Sequence, residues 1–408
     1  MSLIYLAGYE ADAIRRAVLT SSSAHTLHPV TRAGNGDQSA PFRWNAPAAN
    51  AWLKGDLNFF DNGGFEDAWV ESDRPPHWTP DDGAGTLNEE TGIKNEGSAS
   101  LNINGVKEGY QDRIVIPGKK YKLEISIRGD ATNYAYVYVQ DLNTLKWMKD
   151  DGTFQAAKTY TARQQPAAFA DLTRTFTIEK PTVRRSYTRL RFFCASIDAG
   201  DAYFDSFAIY PEVTFASVHA HNIPNAATFR LQYDATGAFS GSETTAATFT
   251  VRPRAFYVTF TAALIRYWRL LCVEETGFTP YAGAWSMGHY NTLGRFYRWG
   301  SQTAIMQPQV RVHTPSGRLI SKRRTSDPSR RLTLSFRAVA EVERDEMLED
   351  IFEAADWGDE PVIIVPYSDK GTVLQARVGE VFEYETHPRT WDYTVVLVED
   401  PYPVEFNF

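Results

Sequence analysis

Apolar and polar residues alternate with a period of two through residues 122–139, and the same alternation returns at 187–194, 213–219, 228–233, 248–260 and 372–384. A period of two turns successive side chains to opposite faces of an extended strand, so the chain is constrained to a mainly β fold. Turn sequences punctuate it at Asp61-Asn62-Gly63-Gly64, Pro117-Gly118, Asp151-Gly152 and Asp198-Ala199-Gly200. Short strands between frequent turns are the pattern of antiparallel sandwiches. One stretch departs from it. Between Glu341 and Trp357, Val342, Met347, Leu348, Ile351, Phe352 and Ala355 approximate one face of a helix, with acids and one Arg on the other. This predicts a single α-helix, covering one side of a C-terminal sheet.

A length of 408 residues exceeds what one core of ordinary size serves, and three domains are expected. Residues 1–57 and 213–278 read as the two parts of one β-sandwich. Pro41-Phe42-Arg43-Trp44 and Trp52-Leu53-Lys54-Gly55-Asp56-Leu57 supply strands before the break; Val213 to Ile223, Thr228 to Tyr233 and Arg266-Tyr267-Trp268-Arg269-Leu270 supply strands after it. Residues 58–212 are then an inserted domain, and residues 279–408 form the third. A domain grafted into another points to recognition rather than catalysis.

A net charge of -8 gives no general attraction to nucleic acid or to an anionic membrane. Asp12, Arg15 and Arg16 interrupt the apolar residues at the start, against a signal-peptide core, and no stretch approaches the ~18 apolar residues of a membrane helix. Neither sequence-specific nucleic-acid binding nor membrane insertion is expected. Cys194 and Cys272 fall in different domains within hydrophobic strands, which suits buried free thiols better than a bridge. His219 and His221 share one face of a strand without a companion Cys or acid motif, so they read as strand histidines rather than zinc ligands. No nucleophile elbow, zinc-protease, phosphate-loop or dinucleotide motif is present, and the chain is expected not to be an enzyme.

The insert carries the candidate binding surface. In Tyr134-Ala135-Tyr136-Val137-Tyr138-Val139, the period of two puts three tyrosines on one face and the small apolar residues on the other, towards the core. Outward phenol rings offer flat surfaces to sugar C–H groups and hydroxyls to sugar substituents. The same parity places Arg128, Gln140, Trp147, Arg189 and Arg191 on or near that surface. The alternative is a row of cross-strand pairs worth ~0.2–1 kcal/mol each to folding. Both readings stand at this point.

Three resemblances extend the reading. Asn62-Gly63-Gly64-Phe65-Glu66, Glu96 to Leu101, Ile116 to Tyr121, Phe169 to Phe176 and Tyr203-Phe204-Asp205 follow in an order that resembles the jelly-roll carbohydrate-binding modules of glycanases. That resemblance implies a structural Ca²⁺ held by Glu66 and Asp205, with carbonyls near Gly64 and Ser98; the alternative is that both are ordinary acids without metal. The flanking sandwich, with His221-Asn222-Ile223 and Arg266 to Leu270, resembles the discoidin family. Arg331 to Phe336, Pro361 to Pro366, Leu374 to Val378, Val381 to Tyr384 and Trp391 to Pro401 resemble the β-barrel-plus-helix domain of long-tailed phage tail-tip and distal-tail proteins. Such domains join into rings.

Together these imply a structural protein of a siphophage-type tail tip or baseplate. It would be located in the virion after assembly in the host cytoplasm. Its expected partners are other tail proteins, host surface polysaccharide and further copies of itself, as a trimer or hexamer. The rival is a secreted or surface glycan-processing enzyme with accessory carbohydrate-binding modules. The basic cluster Lys322-Arg323-Arg324 and Arg330-Arg331 reads as a solvated loop, as an arm docking on an acidic neighbour, or as the lining of a tube through which DNA passes without sequence reading, with no obvious partner in its own chain.

Overall fold

The computed structural model describes the chain apart from residues 1–3, 8–11, 25, 27–28, 36–41, 45–49, 68, 70–74, 180–186, 226, 274–278, 293–301, 307–308, 314–318, 324–328, 342–343, 346–350, 352–360, 368–371, 388–389 and 400–408. The fold is mainly β, with short 3-10 turns at Ala13–Arg16 and Val30–Gly34. Most of 341–357, where the sequence predicts a helix, lies outside the described residues. The chain divides into two compact units: Asn58–Glu212, and Met1–Leu57 together with Val213–Phe408.

Two antiparallel sheets build the Asn58–Glu212 unit. In the first, strands run in the order Phe154–Gln155, Trp147–Met148, Ala135–Asp141, Thr188–Ser196, Lys107–Val115 and Thr79–Pro80, with Ala162–Gln164 also pairing with Ala135–Asp141. The second runs Ala170–Thr177, Lys120–Arg128, Asp201–Pro211, Ser100–Asn104 and Thr86–Glu90. Val137, Val139, Leu190 and Cys194 of the first sheet and Leu123, Ile125, Ile127 and Phe204 of the second are fully or almost fully buried, which is where the alternation puts them. Phe60, Phe65, Trp78, Phe192 and Phe207 add an aromatic cluster, with ring centroids such as Phe60–Phe192 at 5.0 Å and Phe65–Trp78 at 5.2 Å. The turn before Phe65 makes this possible. A Cβ on Gly63 would meet the Phe207 carbonyl at 2.1 Å, so only glycine lets the Phe207 N–H reach the Gly63 carbonyl at 2.8 Å.

The other unit contains a sandwich and a larger sheet. The sandwich pairs Arg254–Ala263, Val213–His221, Tyr281–Gly288 and Phe42–Arg43 in one sheet, and Thr244–Phe249, Thr228–Asp234, Tyr267–Val273, Trp52–Asp56 and Val18–Ser21 in the other. Phe229 and Phe249 of one sheet meet Phe256 of the other, at 5.5 and 5.1 Å between centroids. The strand just before the insert lies beside one that follows it, from Tyr267 opposite Asp56 to Leu271 opposite Trp52. Arg266 clamps that junction with two hydrogen bonds to Asp56, at 2.7 and 2.8 Å. Cys194 and Cys272 are both buried free thiols.

The larger sheet has seven strands, in the order Asn291–Thr292, Ile4–Ala7, Val362–Tyr367, Thr372–His387, Thr390–Glu399, Ser329–Ala340 and Gln302–Met306. Residues 4–7 thus pair with the C-terminal strands and not with the sandwich strands of 1–57. Among the described residues the sheet is open, because its outer strands Asn291–Thr292 and Gln302–Met306 do not pair; the expected barrel is not closed. Leu6, Ile363, Val365 and Val373 pack with Phe215 and Ala255 of the sandwich. This shared core explains why sandwich and C-terminal sheet form one compact unit. Gln309–His313 and Leu319–Arg323 make a separate hairpin, so Lys322 and Arg323 lie in a strand rather than a loop, while Arg324 is outside the described residues. For Arg330 and Arg331 the expectation of no intrachain partner is corrected: Arg331 pairs with Glu380 at 3.0 Å and the Arg330 N–H donates to the Glu399 carboxylate at 2.8 Å.

Candidate functional site

Ala135, Val137 and Val139 face the core of the insert, so Tyr136, Tyr138 and Gln140 stand on the far face of their sheet. Strand register assembles the rest of that face. Tyr138 lies opposite Phe193, which lies opposite Tyr110; Gln140 lies opposite both Trp147 and Arg191, and Arg191 opposite Asp112. The rings form a continuous run. Tyr134–Tyr136 centroids are 5.7 Å apart, Tyr136–Tyr138 5.9 Å and nearly parallel, Tyr138–Trp147 6.2 Å, Trp147–Phe193 5.7 Å and Phe193–Tyr110 5.7 Å.

The run is less open than the alternation suggests. Tyr136 and Tyr138 are only 9% and 7% exposed, which corrects the picture of three rings simply facing solvent. The segment between Phe154–Gln155 and Ala162–Gln164 accounts for part of the cover. Its Lys158 ammonium sits 4.7 Å from the Tyr138 ring centroid and 5.2 Å from Trp147, and its Tyr160 ring lies 6.2 Å from Tyr136. Tyr110, Tyr134, Trp147 and Tyr160 keep partial exposure and present the accessible ring edges and faces. Burial pushes the Tyr138 hydroxyl up to about 12, and burial together with Asp198 raises Tyr136. Both phenols are therefore neutral hydrogen-bond donors over the physiological range.

Three cations lie against the rings. Arg191 stacks 4.1 Å above Tyr110 and grips Asp112 through two hydrogen bonds, at 2.7 and 3.0 Å. Lys158 pairs with Glu108 at 2.9 Å. Arg163, opposite Tyr136 in the neighbouring strand, lies 4.6 Å from the Tyr160 centroid and 5.1 Å from Tyr134. Arg189 is exposed at the start of its strand, two residues from Arg191. Arg128 does not join this face. It belongs to Lys120–Arg128 of the second sheet, where its guanidinium packs 5.4 Å from Tyr203. Parity correctly turned Arg128 away from the core, but a sandwich has two outer faces.

Tyr110, Lys158, Tyr160, Arg163 and Phe193 are site residues that the sequence reading did not single out. Phe192-Phe193 puts two aromatics side by side, which hides the alternation that would assign Phe193 outward. Lys158 and Tyr160 lie in a segment without periodicity, and only the fold brings it across the face.

Glu66 and Asp205 both hold the loop between Thr86–Glu90 and Ser100–Asn104. Asp205 is fully buried where its strand bulges between Asp205 and Ala208, with Ser206 at φ 53°. It accepts from the N–H groups of Asn95 (2.8 Å), Glu96 (3.0 Å) and Ser206 (2.7 Å). Burial raises its pKa despite these bonds. Glu66 accepts from the Ser98 N–H at 2.8 Å, the Ala99 N–H at 3.3 Å and the Ser98 hydroxyl. Burial raises its pKa, but bonds from Ser98 and Ala99 and the Lys94 charge outweigh it and leave the carboxyl lowered. Calcium needs oxygen lone pairs, whereas here N–H and O–H donors already point at all four carboxylate oxygens. Among the described residues no group of three or more His, Cys, Asp or Glu could hold a metal. These donors make the pair an anchor for the loop from Asn95 to Ala99.

No family model matches the chain, and no curated protein matches it. Solved structures similar to part of it include the CBM22-1 xylan-binding domain from Paenibacillus barcinonensis Xyn10C, at 15% identity, covering 41% of this chain and 97% of that one, with a TM-score of 0.25. A second is a family 16 carbohydrate-binding module, at 18% identity, 32% and 89% coverage and a TM-score of 0.24. A third is the enzymatically active domain of bacteriophage CBA120 tailspike protein 4, at 12% identity, 38% and 21% coverage and a TM-score of 0.26. At TM-scores this low, any functional reading rests on the geometry of the face itself.

Proposed function

We propose that the insert binds a polysaccharide across its aromatic face and that the chain is a non-catalytic structural protein of a siphophage-type tail tip or baseplate. The observation that carries the binding reading is the set of partly exposed rings Tyr110, Tyr134, Trp147 and Tyr160, seated on the buried Tyr136, Tyr138 and Phe193, with polar groups beside them. Sugar rings present C–H faces that pack on aromatic surfaces, while phenol, ammonium and guanidinium groups serve the hydroxyls. A row of rings suits several successive units of a polymer better than a single small molecule. Among the described residues Gln302–Met306 pairs on one side only, with Ser329–Ala340, which supports assembly with further copies or other tail proteins through a sheet edge. Repetition in a trimeric or hexameric ring would raise weak single-site binding by avidity.

The test is binding of the full chain to a panel of bacterial surface polysaccharides, with product analysis of each. Retention that Trp147→Ala reduces at least several-fold supports the reading. No retention on any polysaccharide would sink it, and release of cleaved sugars would favour the glycan-processing enzyme instead.

A further inference from the structure

The three cations on the aromatic face are not equivalent in their partners. Lys158 and Arg191 are each neutralised by a carboxylate on the same face, Glu108 and Asp112. Arg163 is not: among the described residues it makes no ion pair with any carboxylate, although the chain as a whole has a net charge of -8. Its guanidinium is exposed and held between two ring contacts, 4.6 Å to Tyr160 and 5.1 Å to Tyr134. Neither ring contact uses an N–H donor, so the guanidinium keeps its fork of donors for a planar, two-pronged acceptor. Arg189, likewise exposed and without an ion pair among the described residues, adds positive charge to the same sheet. Asp198 is near enough to raise Tyr136 and Tyr138 but forms no ion pair with Arg163.

We infer that the polysaccharide is acidic and that Arg163 binds the carboxylate of a uronic acid unit seated at the Tyr134–Tyr160 end of the run. This rests on the glycan-binding reading above. The neutralised pair Lys158–Glu108 and the partly exposed Trp147 ring then serve adjoining units through C–H and hydroxyl contacts.

The experiment measures binding of the full chain to polygalacturonate, to the same polymer after methyl esterification, to alginate, and to neutral xylan. The original chain is expected to bind at least one uronate polymer ten-fold or more tighter than the ester or xylan, with affinity falling as salt rises. Arg163→Gln should remove most of that preference while changing ester or xylan binding less than two-fold, and Arg163→Lys should restore it only in part. Equal binding of acid and ester overturns the inference and leaves glycan binding standing. So does an Arg163→Gln loss that is the same for neutral and acidic polymers, which would mark a ring-packing role. Binding of a phosphate-bearing polymer in preference to every uronate would overturn the carboxylate assignment. No binding to any polysaccharide refutes the parent reading and this one together.

Discussion

Lowering the pH should destabilise the sandwich of the Met1–Leu57 and Val213–Phe408 unit through two buried histidines. His219 is 0% and His221 9% exposed, and burial depresses them to about 3 and about 4 from 6.5. The bonding fixes the neutral form of His221: its Nδ1 accepts the Ile223 N–H at 3.0 Å while its Nε2 lies 2.9 Å from the Arg252 carbonyl. Protonating Nδ1 would destroy the first bond. Folded pKa values below the unfolded one mean that this stability is fully present above about 6.5 and is lost as pH falls towards the folded values. At pH 5 the unfolded rings are almost all charged and the folded ones almost all neutral, which costs about 2 kcal/mol per ring and about 4 kcal/mol together. Asp12 in the same unit works in the opposite sense, because burial raises its carboxyl, so the difference between variants is the cleaner quantity. Urea unfolding followed at pH 8 and pH 5 should show a loss in the original chain that His219→Leu reduces by about half. Ring-proton titration by NMR should find both midpoints well below 5. A midpoint near 6.5 for either ring, or an unchanged pH slope in the variant, would refute the reasoning.

Other expectations follow from the insert. Trp147→Ala should weaken polysaccharide binding by about 1–3 kcal/mol, read by calorimetry, whereas Tyr136→Phe should reduce binding without unfolding the face. Tyr136→Ala is a poor probe, since removing a ring that is 9% exposed should cost the fold about 3–5 kcal/mol in thermal melts. Asp205→Ala should destabilise the insert by about 2–4 kcal/mol, because the Asn95, Glu96 and Ser206 N–H groups lose their acceptor. Chelators should leave the melt of the original chain unchanged; a drop on chelation would reinstate a metal at Glu66 and Asp205. The lowered Glu66 carboxyl should stabilise its loop above about 4.5 and lose that effect as pH falls, visible as faster amide exchange at Ser98 and Ala99. Sedimentation of the assembled particle component should give a closed trimer or hexamer, and a stable monomer at all concentrations would contradict the ring.

Period-two alternation made the β class and the core face of Ala135, Val137 and Val139 legible, because in a strand parity alone decides the face. The pairing of Trp52–Asp56 with Tyr267–Val273 has a sequence trace in the strands that stop before the insert and resume after it. Parity could not say which sheet a strand joins, and so Arg128 was assigned to the tyrosine face when it lies on the other. Nor could it show cover: Lys158 and Tyr160 reach the rings through a segment with no periodic pattern. Residues 4–7 joined the C-terminal sheet through long-range pairing that adjacency in sequence does not encode. Glu66 and Asp205 were visible as acids near the two ends of the insert, but whether donors or a cation meet them depends on the backbone of Asn95 to Ala99.

The most direct test of the central claim is to record amide and side-chain NMR shifts of the chain while titrating an oligosaccharide from whichever polysaccharide it retains. The account predicts saturable changes concentrated at Tyr110, Tyr134, Trp147, Tyr160 and Arg163, and little at Arg128 and Tyr203 on the opposite sheet. Changes centred on Arg128 and Tyr203, or spread without saturation over both faces, would contradict it.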